Sequence, residues 1–104
     1  MGRKPRVHFS GAVYHVISRG NQKQTIFEDQ DDFLRFRKFL EDAQRRFDFR
    51  MYAYVLMPNH FHLLLEVRLH PLFKVMQTLL YRYAQYFNNR HRKVGHLFQG
   101  RYRA

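Results

Sequence analysis

Two histidines separated by one residue, His60 and His62, are the side chains whose type and spacing most clearly suggest chemistry in this sequence. In a β-strand, side chains alternate between faces, so both imidazoles would project from one side, together with Leu64 and Glu66. Adjacent imidazoles on a rigid strand, with a carboxylate further along the same face, can bind a divalent metal ion. A histidine pair satisfied by hydrogen bonds is the alternative, and the spacing alone leaves both interpretations open.

The distribution of charge indicates a polyanionic partner. The chain has 104 residues and a formal net charge of +11. Residues 1–27 carry five Lys or Arg and residues 67–104 carry eight, while all eight acidic residues lie between these segments. Two long segments without a carboxylate favour nucleic acid over a merely solvated surface. The candidate DNA contacts are Arg3, Lys4, Arg6, Arg19, Asn21, Lys23, Arg82, Arg90, Arg92, Lys93, Arg101 and Arg103.

Other functional classes are disfavoured by composition. The chain has no cysteine, which excludes disulfides and thiolate metal sites and favours a reducing cytoplasm. No apolar run approaches the roughly 20 residues that a spanning helix needs. No stretch pairs a basic face with an unused apolar face, so we expect no membrane association and a soluble cytoplasmic protein.

A nucleic-acid partner narrows the choice of metal. Imidazole suits Zn²⁺, Mn²⁺ or Fe²⁺, whereas ions that must also bind phosphate oxygens are commonly Mg²⁺ or Mn²⁺, so we expect Mg²⁺ or Mn²⁺. His15 could be a third ligand, although a lone histidine in a strand is more often packed or hydrogen-bonded. The weak nucleophile candidates are Tyr81, Tyr83, Tyr86 and Tyr102, for which core packing, hydrogen bonding or base stacking are the alternatives.

The pattern of apolar residues predicts one domain spanning residues 1–104, with a flexible basic arm at residues 1–11. Residues 12–19 alternate as a strand, and acidic residues from Asp29 onward mark the start of a helix. The apolar run at residues 51–57 predicts a strand buried on both faces, followed by the histidine strand. A second helix is expected from Pro71, and residues 96–104 resemble the beginning of another strand.

This order predicts an α+β fold, namely a ferredoxin-like split βαβ sandwich with an antiparallel sheet and two helices on one face. In that topology the first and third strands are adjacent at the centre of the sheet. The two histidines would therefore lie mid-sheet, near His15.

Three blocks of sequence carry a resemblance to a known family. They are Tyr-His-Val at 14–16 with Arg-Gly-Asn at 19–21, Ala-Tyr-Val-Leu-Met-Pro-Asn-His-Phe-His-Leu-Leu at 53–64, and residues 83–88 followed by Gly-His-Leu-Phe-Gln-Gly-Arg-Tyr at 95–102. Together they resemble the HUH single-tyrosine transposases, particularly the REP-associated branch.

The resemblance implies a domain, often homodimeric and here nucleoid-associated, that recognises single-stranded or hairpin DNA. His60 and His62 would hold the metal ion during DNA transposition and recombination. A tyrosine hydroxyl would attack the scissile phosphate, leaving a 5′-phosphotyrosine and a free 3′-hydroxyl. No water is consumed, so the bond energy is retained for rejoining the strand.

The sequence departs from the family pattern in one respect. Relatives carry the attacking tyrosine on a further helix after the Gly-Arg-Tyr segment, and this chain ends at Ala104 without a matching position. The expectation is therefore a domain truncated before its nucleophile, inactive alone. The alternative is a non-catalytic nucleic-acid-binding module or regulator with the same ferredoxin-like fold.

Overall fold

A computed structural model describes residues 7–104, so Arg3, Lys4 and Arg6 of the predicted basic arm lie outside the described residues. The elements follow in the order β1 (Val13–Arg19), α1 (Gln30–Phe47), β2 (Arg50–Met57), β3 (His60–Glu66) and α2 (Leu72–His91), with one 3₁₀ turn at Asn21–Lys23. The sheet order is β1-β3-β2, and both pairs are antiparallel. The predicted α+β fold, with the first and third strands adjacent, is confirmed.

The central strand β3 divides the sheet into two different faces. Phe61, Leu63 and Leu65 are fully buried in the core that the sheet forms with both helices. His60 and His62 alternate with them and therefore project from the opposite face, called the open face below. The period-two pattern of the sequence thus sets the core and the candidate site on opposite sides of one strand.

The prediction that residues 51–57 are buried on both faces is wrong. Within the described residues β2 pairs only with β3, so it forms an edge of the sheet. The helices cover one face, which leaves Tyr52, Val55 and Met57 with 49%, 52% and 41% of their surface exposed. Val55 and Met57 lie directly opposite His62 and His60, so apolar groups on the open face adjoin the histidines.

Residues 96–104 run along the other edge of the sheet, next to β1. Isolated antiparallel bridges join Gly20 to Phe98 and Ile17 to Arg103. The amide nitrogen of each residue of the second pair donates to the carbonyl of the other at 2.8 Å. Residues 96–104, expected to begin another strand, therefore form two isolated bridges to the β1 side of the sheet and no continuous strand.

The acidic residues at the start of α1 stabilise the helix and its contact with α2. The Asp29 side chain caps the helix by accepting from the Asp32 amide at 3.2 Å. The fully buried Asp32 carboxylate accepts from the Tyr86 hydroxyl and from Arg90 Nη1, both at 2.7 Å, and lies 2.9 Å from His91 Nε2. The interpretation of these acids as a helix start is confirmed.

Candidate metal and nucleic-acid site

The turn between β2 and β3 is fixed by hydrogen bonds to the loop that follows β1. The Pro58 carbonyl accepts from the Ile26 amide at 2.7 Å, and the Asn59 carbonyl accepts from the Gly20 amide at 3.0 Å. A Cβ atom on Gly20 would lie 2.1 Å from the Gln24 carbonyl oxygen, so a side chain cannot fit there without a backbone shift. The strand that carries His60 therefore begins at a turn whose backbone is held by hydrogen bonds.

Three imidazoles lie together on the open face, with His62 between the other two. The His60 and His62 ring centroids are 5.3 Å apart and the planes cross at 76°. His15, diagonally across from His62 on β1, has its ring 5.2 Å away and nearly parallel, at 24°. The sequence expectation that the histidine pair lies near His15 agrees with this geometry.

In both histidines of β3, Nδ1 is the ring nitrogen that has a hydrogen-bond partner. His60 Nδ1 lies 2.9 Å from Asn59 Oδ1, and His62 Nδ1 lies 3.0 Å from His15 Nε2. Because the amide oxygen of Asn59 can only accept, the hydrogen of a neutral His60 is on Nδ1 and the Nε2 lone pair is free. That tautomer is the one in which His60 could coordinate a metal through Nε2.

The environment of His62 favours its neutral form. Partial burial lowers the pKa of His62 below its usual value, and the nearby His15, His60 and Arg19 side chains lower it further when charged. A neutral imidazole is the form that binds metal ions. His62 is therefore available as a ligand over more of the neutral pH range than an isolated histidine.

A depression of about 580 Å³ adjoins the three imidazoles. Its open-face lining consists of the histidines together with Ala53, Val55, Met57 and Leu64. The imidazole edges therefore border an apolar surface that is accessible to a large ligand. This surface is the free face of the β2 edge strand.

The open face offers two side chains, His60 and His62, that could act as ligands of a divalent metal ion. Within residues 7–104, no group of three or more His, Cys, Asp or Glu side chains is arranged to hold an ion. The Glu66 carboxylate instead accepts from the Tyr52 hydroxyl at 2.6 Å, and His15 is bonded to His62. His60 and His62 could thus supply two nitrogen ligands, leaving positions for the oxygen ligands that Mg²⁺ and Mn²⁺ prefer.

Two of the candidate DNA-binding cations lie on the same face as the histidines. Arg19 is the cross-strand partner of His60, and its side chain is exposed. Arg103 is opposite Ile17, which is opposite His62, so strand alternation puts Arg103 on the open face as well. No carboxylate pairs with either guanidinium in the part of the chain that the structure describes.

The remaining candidate DNA contacts are dispersed. Lys23, Arg92 and Arg101 are exposed, while Asn21 is half-buried in the 3₁₀ turn. Three cations are already paired with carboxylates: Arg82 with Asp42, Arg90 with Asp29 and Asp32, and Lys93 with Glu28. The structure therefore places Arg19 and Arg103 on the face that carries the histidines and leaves these three cations partly neutralised elsewhere.

None of the four candidate nucleophiles borders the depression. The Tyr83 hydroxyl donates to the Ile26 carbonyl, and burial raises its pKa far above the usual value. Burial also raises the pKa of Tyr86, whose hydroxyl donates to Asp32. Tyr81 is exposed on α2 and accepts from Gln85, and Tyr102 packs against the core.

Asn59 is the site residue whose role the sequence did not indicate. Its residue type predicts only a turn, whereas its side-chain oxygen also contacts Nδ1 of His60 and orients that ring. An asparagine immediately before the first histidine of a His-x-His pair is the signal that could have revealed it, because the adjacent side chains can meet at the strand end. The sequence pattern also gives no sign of the apolar surface formed by Val55 and Met57, because their apolar run predicts a strand buried on both faces.

A family model described as "Transposase IS200 like" matches residues 8–104, which is nearly the whole chain. This chain belongs to the IS200-like transposase family. No curated protein matches the sequence significantly. The family assignment confirms the resemblance read from the three sequence blocks.

Two solved structures share the fold of this IS200-like chain. One is a REP-associated tyrosine transposase bound to a REP hairpin, with a TM-score of 0.74 and 14% identity over 98% of this chain and 59% of that one. The other is a candidate transposase from Deinococcus radiodurans R1, with a TM-score of 0.71 and 19% identity over 97% of this chain and 82% of that one. The present chain thus spans less than two thirds of the first relative.

The helices of the described part of the IS200-like chain are not membrane spans. Neither combines the length and the apolarity that crossing a bilayer requires.

Proposed function

We propose that this chain binds single-stranded or hairpin DNA across the open face of its sheet and contributes the two histidine ligands of a metal-dependent strand-transfer site used in DNA transposition. The observation that carries the proposal is the side-by-side placement of His60 and His62, each with Nδ1 engaged, next to an open depression. Membership of the IS200-like family and the fold shared with a transposase bound to a REP hairpin support a DNA partner.

The side chains on the open face have distinct roles in this proposal. His60 and His62 would hold Mg²⁺ or Mn²⁺ through Nε2, and the bound ion would supply Lewis-acid polarisation of a phosphodiester. Arg19 and Arg103 would bind the flanking phosphates, because strand register places both on the open face and neither is paired with a carboxylate among the described residues. Val55 and Met57 offer an apolar surface to a sugar or an unstacked base.

The open face is poorly suited to the alternative, an RNA-recognition type of module. Such modules stack bases on aromatic side chains of their exposed sheet face. Among the residues described here, the only tyrosine, phenylalanine or tryptophan on the open-face side of the three strands is Tyr52, which bonds Glu66. Two positions of the central strand on this face are histidines, and Arg19 lies opposite one of them, which favours phosphate binding.

A titration of labelled hairpin DNA with and without Mn²⁺ tests the proposal. Mn²⁺ should strengthen binding by the native chain, and a His60→Ala/His62→Ala variant should lose this effect because both nitrogen ligands are gone. A His70→Ala/His96→Ala variant, with two histidines removed away from the depression, is the matched control and should respond like the native chain. Affinity independent of Mn²⁺ and of His60 and His62 would support the plain binding module or regulator instead.

We also propose that Tyr81, Tyr83, Tyr86 and Tyr102 are not nucleophiles, because none of them borders the depression. Incubation of the 104-residue chain with hairpin DNA and Mn²⁺ should therefore give no covalent protein–DNA adduct on a denaturing gel. An adduct mapped by peptide mass to any of the four would refute this part of the proposal.

The proposed state in the cell is a nucleoid-associated homodimer. Sedimentation velocity tests the assembly directly, and a monomer at all concentrations would rule the homodimer out.

A further inference from the structure

His15 shares a side-chain hydrogen bond with His62 that the metal role of the β3 histidines leaves unexplained. We propose that His15 is a positioning residue: its Nε2 accepts a hydrogen bond from Nδ1–H of His62, so the Nε2 lone pair of His62 is free to bind metal. The metal-binding consequence of this inference rests on the proposed function. The hydrogen position on His62 does not, and it can be measured in the protein without metal.

The contact between the two rings allows only two arrangements when both are neutral. Nε2 of His15 and Nδ1 of His62 are 3.0 Å apart, so one nitrogen must carry the hydrogen and the other must accept it. If His62 donates, its Nε2 has a lone pair. If His15 donates, the hydrogen of His62 is on Nε2, and that nitrogen cannot coordinate an ion.

His60 indicates which of the two hydrogen arrangements of His62 would allow metal binding. His60 has its Nδ1 against the Asn59 amide oxygen at 2.9 Å, and an amide oxygen can only accept. Donation by His62 gives both histidines the same tautomer, with hydrogen on Nδ1 and a lone pair on Nε2. Metal-binding histidines usually donate their second ring N–H to an acceptor in this way, which fixes the tautomer and the orientation of the ring.

The same contact argues against His15 as a third ligand. The Nε2 atom of His15 is directed at Nδ1 of His62, and the lone-pair directions of the two nitrogens of one imidazole diverge. An ion at Nε2 of His62 would therefore lie away from Nε2 of His15. With Nε2 of His15 only 3.0 Å from Nδ1 of His62 and the ring planes 24° apart, this edge of His15 is directed at His62 and not at a shared metal position.

Two substitutions separate the hydrogen bond from the space that the ring fills. His15→Phe keeps an aromatic ring and removes the acceptor, whereas His15→Gln keeps an amide oxygen near the position of Nε2. His96→Phe makes the same chemical change at an exposed histidine outside the depression and serves as the matched control.

Long-range ¹H–¹⁵N correlation NMR of the metal-free protein at about pH 8, above the usual imidazole pKa, reports the tautomer directly. We expect Nδ1–H on His62 in the native chain, in His15→Gln and in His96→Phe, and a shift towards Nε2–H in His15→Phe. Calorimetric titration should show Mn²⁺ affinity about 10- to 100-fold weaker in His15→Phe, with His15→Gln closer to native.

Three outcomes are decisive. Hydrogen on Nε2 of His62 in the native chain would overturn the inference. Pulsed EPR of bound Mn²⁺ that detected three imidazole nitrogens, with one lost in His15→Gln, would also overturn it, because His15 would then be a ligand. The Nδ1–H tautomer in a native chain that binds no Mn²⁺ would support the role of His15 while refuting the proposed metal function.

Discussion

Removal of Arg19 and Arg103 together should change how strongly DNA binding depends on salt. Both cations lie on the open face, and neither is paired with a carboxylate in the described part of the chain. An unpaired cation that neutralises a phosphate releases a counterion, and this release makes affinity fall as salt rises. The double variant Arg19→Ala/Arg103→Ala should therefore bind more weakly and respond less to salt.

The expected magnitude follows from the number of phosphates. Each phosphate contact on a single strand contributes about 0.7 to the slope of log affinity against log salt concentration, so loss of two contacts should reduce that slope by about 1.4. Between about 50 and 200 mM salt, the affinity of the native chain should consequently fall about sevenfold more than that of the variant.

Fluorescence anisotropy with a labelled hairpin that carries a single-stranded end measures DNA affinity. Repeating it at several salt concentrations gives the slope of log affinity against log salt concentration for the native chain and for the double variant. Arg45→Ala is the control, because this arginine is on α1, in the helix layer, and already pairs with Asp42 at 2.9 Å. It should leave the slope unchanged. Equal slopes for the native chain and the double variant, or a larger change in Arg45→Ala, would refute the assignment of DNA to the open face.

Three further predictions concern the framework that holds the site. Asp32→Asn should lower the free energy of unfolding by about 3–5 kcal/mol in a urea titration, because it leaves buried donors without a carboxylate. Although burial raises the pKa of Asp32, hydrogen bonds led by that from the Tyr86 hydroxyl hold it below its usual value. The hydrogen bond from Arg90 lowers the pKa of Asp29 to about 2. Native stability should consequently fall as the pH drops below about 4, and less steeply in the variant. Gly20→Ala should lower the free energy of unfolding by about 1–3 kcal/mol, because the added methyl meets the Gln24 carbonyl oxygen. An unchanged melting temperature would show that the loop moves to accept the methyl group. Phe61→Ala should lower the free energy of unfolding by about 3–5 kcal/mol, since its ring is fully buried. A smaller change in a urea titration would mean that neighbouring side chains fill the cavity.

The positions of the elements could be predicted from the sequence because apolar periodicity reports one buried face. Phe61, Leu63 and Leu65 alternate as a half-buried strand must, and the Asp29 cap marks the start of α1. Whether a strand is at the centre or the edge of a sheet is not encoded in the same local way. The apolar run of β2 therefore suggested burial on both faces, and its Val55 is half exposed.

The predicted topology places distant segments side by side, as it does His15 and the histidine pair, but it does not show which side chains bond to each other. Arg90 was counted among the DNA-binding cations, and its guanidinium pairs with Asp29 and Asp32, about 60 residues earlier in the chain. The bond between His15 and His62 likewise depends on strand register and on the rotamers of both rings. Residue types can nominate these side chains, but only their positions in the folded chain reveal which partner each one has.

The core and the candidate site are specified by the same strand register. Because side chains on β3 have a period of two, a slip of one residue would move Phe61, Leu63 and Leu65 to the open face and bury His60 and His62. That slip would expose three large apolar side chains and bury two imidazoles. The hydrophobic free energy that holds β3 in register therefore also holds the histidines on the open face. Core substitutions that weaken this register should therefore displace His60 and His62 from the open face without changing either residue.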